Sequence, residues 1–148
     1  FNLMNELPRE RLILALSAVA ACEGMLERTI EYVQERQAFG QSVAKFQNTR
    51  FVLANLHAMV EVNKAFTSQC IDQYGRGELS TTNASIAKLM TTELQGKVAD
   101  QCLQLFGGYG YMKEYPISRD YVDARIQRIY GGTSEIMKEI IARDILGR

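Results

Sequence analysis

Proline is nearly missing from this chain: Pro8 and Pro116 are the only two in 148 residues. Such scarcity is what long uninterrupted helices require, because an interior proline removes a backbone hydrogen bond and clashes with the preceding turn. Net charge is missing too. Seventeen basic and seventeen acidic residues are interspersed, so no one-signed field points to nucleic acid or anionic lipid, and neither partner is expected. The longest apolar run, Leu12–Cys22, is too short for a bilayer, which needs about 20 residues. No membrane insertion and no signal-peptide cleavage site are expected from it. Histidine occurs once, as His57 in mid-helix, with no cysteine or carboxylate cluster at ligand spacing. A metal site is therefore not expected, and His57 reads as a packed or surface residue. The same lone imidazole leaves every serine without a candidate base. Cys22, Cys70 and Cys102 are odd in number and far apart, the pattern of buried thiols in a cytosolic-type protein.

What the chain does have is helical period. Length fits one domain, able to bury roughly two-thirds of its unfolded surface. Pro8 suits a first helical position, and Leu12, Leu16, Val19, Glu23, Leu26, Ile30 and Val33 then step by three and four to about Arg36. That helix is roughly 43 Å long, which suits a bundle. Gln37–Ser42 is a turn with Gly40 as its stop signal. A second helix runs from about Val43 to Tyr74, with Phe46, Leu53, Leu56, Val60, Phe66 and Cys70 or Ile71 inward. Ser80, Thr81 or Thr82 caps a third to about Phe106, burying Ile86, Leu89, Met90, Leu94, Val98, Cys102 and Leu105. After Gly107-Gly108-Tyr109-Gly110-Tyr111 comes a short helical piece around Ser118–Ile126, and then a last helix over Glu135–Leu146. Strand-like alternation persists nowhere. The fold expected is all-α: an antiparallel up-and-down four-helix bundle with an extra short helix and a C-terminal helix.

The stretch richest in chemical possibility is Arg128-Ile-Tyr-Gly-Gly-Thr-Ser-Glu-Ile136. Two adjacent glycines free the backbone for positive φ and allow close approach of another molecule. Thr133 or Ser134 can cap the helix that follows. Exposed amides at such a start suit an anion or a carbonyl oxygen, and equally make an ordinary capped turn. Glu10 also has two readings. Near a helix start its carboxylate favours the free amides and the dipole. With Leu14 and Ser17 as its i+4 and i+7 neighbours, it could instead be a desolvated carboxylate of raised pKa, the property a carbon-acid base needs. The glycines at 107–110 match neither a phosphate loop nor a dinucleotide fingerprint. Tyr109, Tyr111 and Tyr115 read as core by default, or as interface.

Taken together, Arg36-Gln-Ala-Phe-Gly, Phe46-Gln47, Gln104-Leu-Phe-Gly-Gly-Tyr-Gly-Tyr and Arg125-Ile-Gln-Arg-Ile-Tyr-Gly-Gly-Thr-Ser-Glu-Ile resemble the C-terminal helical domain of the acyl-CoA dehydrogenases. The resemblance spans residues 1–148 and implies that the family's N-terminal helical and middle β-domains are absent from this chain. It implies FAD as cofactor, an acyl-CoA substrate, an electron-transfer flavoprotein as electron acceptor, and a dimer or tetramer in which one flavin is shared by two subunits. The expected setting is the cytoplasm, or the mitochondrial matrix of a eukaryote. Family chemistry removes an α-proton with a carboxylate while hydride leaves the β-carbon for the flavin.

Many members place that carboxylate in a Tyr-Glu-Gly-Thr loop, where this chain has Gly131. The long-chain and isovaleryl branches put it on the first helix of this domain, at the position of Glu10, within a pattern present here as Leu7-Pro-Arg-Glu-Arg-Leu12. The resemblance implies substrate contacts for Arg11, Tyr130 and Gly132. It implies flavin contacts for Arg36, Phe39, Gln47, Gln104, Gly107, Gly108, Thr133, Ser134 and Glu135. Phe46 stands where some members have histidine, and Glu135 where glutamine is common; Glu135 brings negative charge near phosphates. Two other readings stay open: a helical oligomerisation module without catalysis, and an acyl-CoA oxidase or nitroalkane oxidase-like flavoenzyme on the same scaffold.

Overall fold

The computed structural model describes residues 2–147, of which 2–5 by backbone alone. Helices α1 (Asn2–Glu35), α2 (Gln47–Gly75) and α3 (Thr81–Phe106) are long; α4 (Pro116–Ala124) and α5 (Ser134–Leu146) are short. Paired residues give their directions. Arg11 and Tyr32 of α1 meet Ser85 and Phe106 of α3, so these two run parallel. Gln73 and Met59 of α2 meet Asn83 and Lys97, so α2 runs antiparallel to both. The all-α bundle expected from the period is the fold observed.

Each boundary has a local cause. Ser80 Oγ accepts from the Asn83 amide at 3.0 Å to open α3, and Thr133 Oγ1 accepts from Ile136 at 3.3 Å to open α5; such caps satisfy amides that have no helical partner. Pro116 begins α4 in the position proline tolerates. Pro8 does not begin α1. The helix starts at Asn2 and carries Pro8 inside it, at the cost of a backbone bond. Gln37–Ser42 is more ordered than a plain turn. It is a hairpin, β1 (Gln37–Ala38) paired antiparallel with β2 (Gln41–Ser42), whose tip Phe39-Gly40 takes φ of +50° and +78°. Two successive left-handed residues are what a two-residue hairpin needs.

The core departs from the expected stripe in an informative way. Cys22, Met25, Leu26, Leu56, Val60, Leu94, Val98 and Cys102 fill its centre. Ala15, Ala18, Ala84, Ala87 and Ala99 are fully enclosed, and small residues let helices approach closely. Leu16, Ile30 and Met90, counted inward from their period, are exposed, and so are Ile136 and Ile145 of α5. They lie on helix faces that no other described element covers. Four buried threonines, Thr29, Thr67, Thr91 and Thr92, donate within their own helices: Thr29 to the Met25 carbonyl at 2.6 Å, and Thr92 to that of Lys88 at 2.7 Å.

Candidate active site

The residues singled out above gather at two places far apart. Glu10 and Arg36 bracket most of α1, about 39 Å apart at 1.5 Å per residue. One chain therefore carries two separate clusters of these residues.

At the distal end, Arg36, Gln104, Gly107 and Gly108 line one open cavity of about 610 Å³ with Tyr32, Phe106 and Tyr109. The Arg36 guanidinium lies over the Tyr109 ring, 5.2 Å from its centroid. Tyr32 stacks on Phe106 at 4.1 Å and donates to its carbonyl at 3.3 Å; burial raises its pKa. Gly107 takes φ +60°, and a Cβ at either Gly107 or Gly108 would meet nothing within 4 Å. Phe39, at the hairpin tip, is 97% exposed in a backbone conformation unusual for a non-glycine residue. Gln47 is exposed as the first residue of α2. Tyr115 is half-buried and packs on this aromatic group, whereas Tyr111 is exposed, not core.

At the proximal end, the turn Tyr130–Thr133 is pressed between helices. Gly131 has φ +65°, and a Cβ there would sit 2.5 Å from Leu14 Cδ1 of α1; Gly132 has φ +104°, and its Cβ would sit 2.6 Å from Met137 Cε of α5. Beneath the turn, Lys88 of α3 is 0% exposed and donates its ammonium to the Gly132 carbonyl at 2.7 Å. Burial lowers its pKa, Arg11 lowers it further, and Glu93 opposes both. Arg11 is 5% exposed. Its guanidinium reaches Ser85 Oγ at 3.4 Å, its Nε has no partner among the described residues, and burial lowers its pKa against the pull of Glu10. Tyr130 is exposed and donates to Gln127 Oε1 at 2.6 Å.

Two residues sit otherwise than expected, Ser134 and Glu10. Ser134 is buried and donates inward to Glu93 at 2.5 Å, so its hydroxyl serves the bundle. Arg128 shares Glu93, at 3.3 Å. Glu135 is exposed, with its carboxyl pKa lowered by its own amide and by Thr133 at the helix start. Glu10 is exposed as well, so this chain's own residues do not desolvate it. With α1 starting at Asn2, Glu10 also lies beyond the first turn, which has no acidic residue; the helix-dipole explanation for it lapses. Its i+4 neighbour on the same face is Leu14, the residue that touches Gly131.

Lys88 and Glu93 escaped the sequence reading. The available signal was position: Lys88 falls on the stripe of Ala84, Thr91 and Gln95, all buried, where a lysine is conspicuous.

The family described as acyl-CoA dehydrogenase, C-terminal domain, matches residues 2–146. This chain belongs to that family. It is 51% identical over 146 residues to the mitochondrial long-chain specific acyl-CoA dehydrogenase of Rattus norvegicus, covering 99% of this chain and 34% of that protein. It superposes on a crystal structure of an acyl-CoA dehydrogenase from Geobacillus kaustophilus with TM-score 0.95 and 42% identity, over 97% of this chain and 38% of that one. A glutaryl-CoA dehydrogenase from Mycobacterium smegmatis, solved in complex with FADH2, gives TM-score 0.93 at 25% identity over 96% and 37%. The chain thus spans about a third of the length of the curated relative.

Proposed function

We propose that this chain is the C-terminal helical domain of a flavin-dependent acyl-CoA dehydrogenase, with Glu10 as the base that removes the α-proton of an acyl thioester. The observation that carries the reading is the seating of Gly131 on Leu14, one helical turn from Glu10. It sets the Glu10 face of α1 beside the turn, where Gly131 has no side chain to act. Catalysis needs only a carboxylate within hydrogen-bond reach of the α-carbon, from whichever element supplies it. Glu10 is exposed in this chain alone, and the acyl chain that covers it would desolvate it as substrate seats. The Gly131–Thr133 amides face the thioester oxygen, stabilising enolate charge as the proton leaves. Arg11 and Tyr130 flank the same substrate.

The distal cavity fits a flavin dinucleotide: Arg36 offers a forked guanidinium to a diphosphate, Phe39 and Gln47 stand free for contact, Gln104 can hydrogen-bond, and Gly107 and Gly108 admit close backbone approach. Thr133, Ser134 and Glu135 would meet the dinucleotide of the proximal half-site through the start of α5, Ser134 by its backbone. FAD, when bound, supplies the N5 acceptor for the β-hydride, so that acyl-CoA and FAD become trans-2-enoyl-CoA and FADH2. Two half-sites about 39 Å apart on one helix favour a homo-oligomer in which each flavin touches two copies. An electron-transfer flavoprotein would then take the electrons, in the cytoplasm or mitochondrial matrix.

In the enzyme carrying this domain, acyl-CoA should bleach the flavin anaerobically, and Glu10→Gln should slow that bleaching by at least ~10²-fold, the usual worth of a positioned base. A rate within a few-fold of wild type would remove Glu10 from the mechanism.

A further inference from the structure

Beneath the glycine turn, positive charge is buried without a matching negative one. Lys88 is fully enclosed, and the only acceptor of its ammonium among the described residues is the uncharged Gly132 carbonyl, at 2.7 Å. Arg11 is buried too, with Ser85 Oγ at 3.4 Å and no partner for its Nε among the described residues. Neither cation forms an ion pair among the described residues. Glu93 is taken by Arg128 at 3.3 Å and by Ser134 at 2.5 Å, and Glu10 is exposed. Burial lowers the Lys88 pKa, and repulsion from Arg11 lowers it further, which sets the two charges near each other. An uncompensated buried ammonium is expensive, whereas a hydroxyl or amide could hold one carbonyl at far smaller cost. What lysine adds over such a donor is its charge.

The reaction proposed above moves one unit of negative charge past this place. Glu10 accepts the α-proton, and the C–H electron pair becomes the new bond between the α- and β-carbons. The β-hydrogen leaves with its own electron pair for the flavin, which holds the negative charge until a proton follows. The α- and β-carbons are bonded to each other, so the base and the hydride acceptor serve neighbouring atoms beside the same turn. Resting on that reading, we propose that Lys88, backed by Arg11, is a fixed positive charge that raises the reduction potential of the flavin bound beside this turn. A cation favours whichever nearby state carries negative charge, and here that is the reduced flavin. Buried charges are screened by salt far less than exposed ones, so the effect reaches beyond contact distance. Lys88 acts by its field and itself moves no proton or hydride.

The test reads the midpoint potential of the flavin in the enzyme carrying this domain, against a redox dye and with no acyl-CoA present. Lys88→Met removes donor and charge together; Lys88→Gln keeps a donor and removes the charge alone. Each should disfavour flavin reduction about tenfold, a fall of about 30 mV for a two-electron couple. Loosening of the turn, the merely structural outcome, would lower the potential in Lys88→Met and spare Lys88→Gln. The gap between wild type and Lys88→Gln should close as pH rises toward 10.5, the ordinary lysine value that burial undercuts here, because the wild-type charge is then lost. Arg11, Glu10, Glu93, Arg128 and Tyr130 around it are the same in both proteins, so their own titration cancels. A change under threefold in both variants, a fall in only one of them, or a gap that persists to pH 10.5 overturns the proposal. Should Lys88→Met fail to fold or to hold flavin, Lys88→Gln decides by itself on the same limits. The potentials need no substrate, so the two failures are told apart. A wild-type flavin that acyl-CoA does not bleach refutes the dehydrogenase reading, whereas a bleached flavin with unmoved potentials refutes this inference alone.

Discussion

Gly107-Gly108-Tyr109-Gly110 and Tyr130-Gly131-Gly132-Thr133 look alike as strings, yet their surroundings are opposite. At Gly107 and Gly108 a side chain would enter open space, whereas at Gly131 and Gly132 it would strike Leu14 and Met137 within 2.6 Å. The first pair keeps a surface clear for something outside the chain. The second lets the backbone turn inside a vice formed by α1, α3 and α5. Gly110 belongs with neither, since its Cβ would lie 2.5 Å from the Leu103 carbonyl oxygen; it is there for packing. A glycine thus has three distinguishable causes, and each makes a different prediction on replacement.

The largest stability effect is expected at Gly110. Alanine there meets backbone as well as the Leu103 and Phe106 side chains, none of which can swing aside, so Gly110→Ala should cost about 3 kcal/mol, the upper range of overpacking. Chemical denaturation of the chain measures it. A loss under about 1 kcal/mol would put Gly110 with Gly108 as an outward position.

Gly131→Ala comes next. Its φ of +65° is costly for any L side chain, while the clash is with the mobile end of Leu14. About 1–2 kcal/mol is expected, the penalty of the left-handed region alone. The double variant with Leu14→Ala should show little extra relief on the Gly131→Ala background if φ dominates, and substantial relief if the contact does.

The braced turn should also register in the pH dependence of stability. Burial holds the Lys88 pKa below its ordinary 10.5. Between the native value and 10.5 the unfolded chain binds more protons than the folded one, so this group makes wild type gain stability as pH rises through that window. Lys88→Met has no such titrating group. The stability of Lys88→Met relative to wild type should therefore be greatest near pH 7 and shrink toward pH 10.5; taking the difference cancels the buried thiols, whose raised pKa values (Cys22 to about 12) act in the opposite sense in both proteins. A difference that is flat or grows with pH would mean Lys88 is not desolvated.

Helix existence was legible because period survives without knowing partners: α3 was placed with its cap among Ser80, Thr81 and Thr82 and its end at Phe106, and α5 to within a residue. What period could not convey was which apolar face finds a partner. Met90 and Ile136 satisfy the spacing and stay exposed, while alanines that carry little periodic signal line the tightest contacts. The start of α1 was misplaced because proline is tolerated at a first position and merely costly further in. For the site, the resemblance implied which residues to look for and a flavin shared by two subunits, and the length of α1 alone separates Glu10 from Arg36. Which end the later motifs fold back to was not readable, since that depends on how the helices pack. Lys88 was hidden for a third reason: its partner is a backbone carbonyl 44 residues away, and backbone leaves no mark in composition.

The smallest effect is the sharpest test of the comparison. Gly108 has no positive φ and nothing in the path of a Cβ, so Gly108→Ala loses no conformation and creates no clash. Replacing glycine where alanine fits stabilises by about 0.4–1 kcal/mol, through the unfolded chain. Stability should thus stay level or rise, while the added methyl intrudes on the cavity beside Arg36 and Gln104. In the enzyme carrying this domain, flavin retention should fall. Opposite signs for folding and binding are what a surface kept clear for a ligand must produce. If Gly108→Ala lowers stability by more than about 1 kcal/mol, or leaves flavin retention untouched as stability rises, the open face of this turn is not a seat for another molecule and the contrast with Gly131 and Gly132 dissolves.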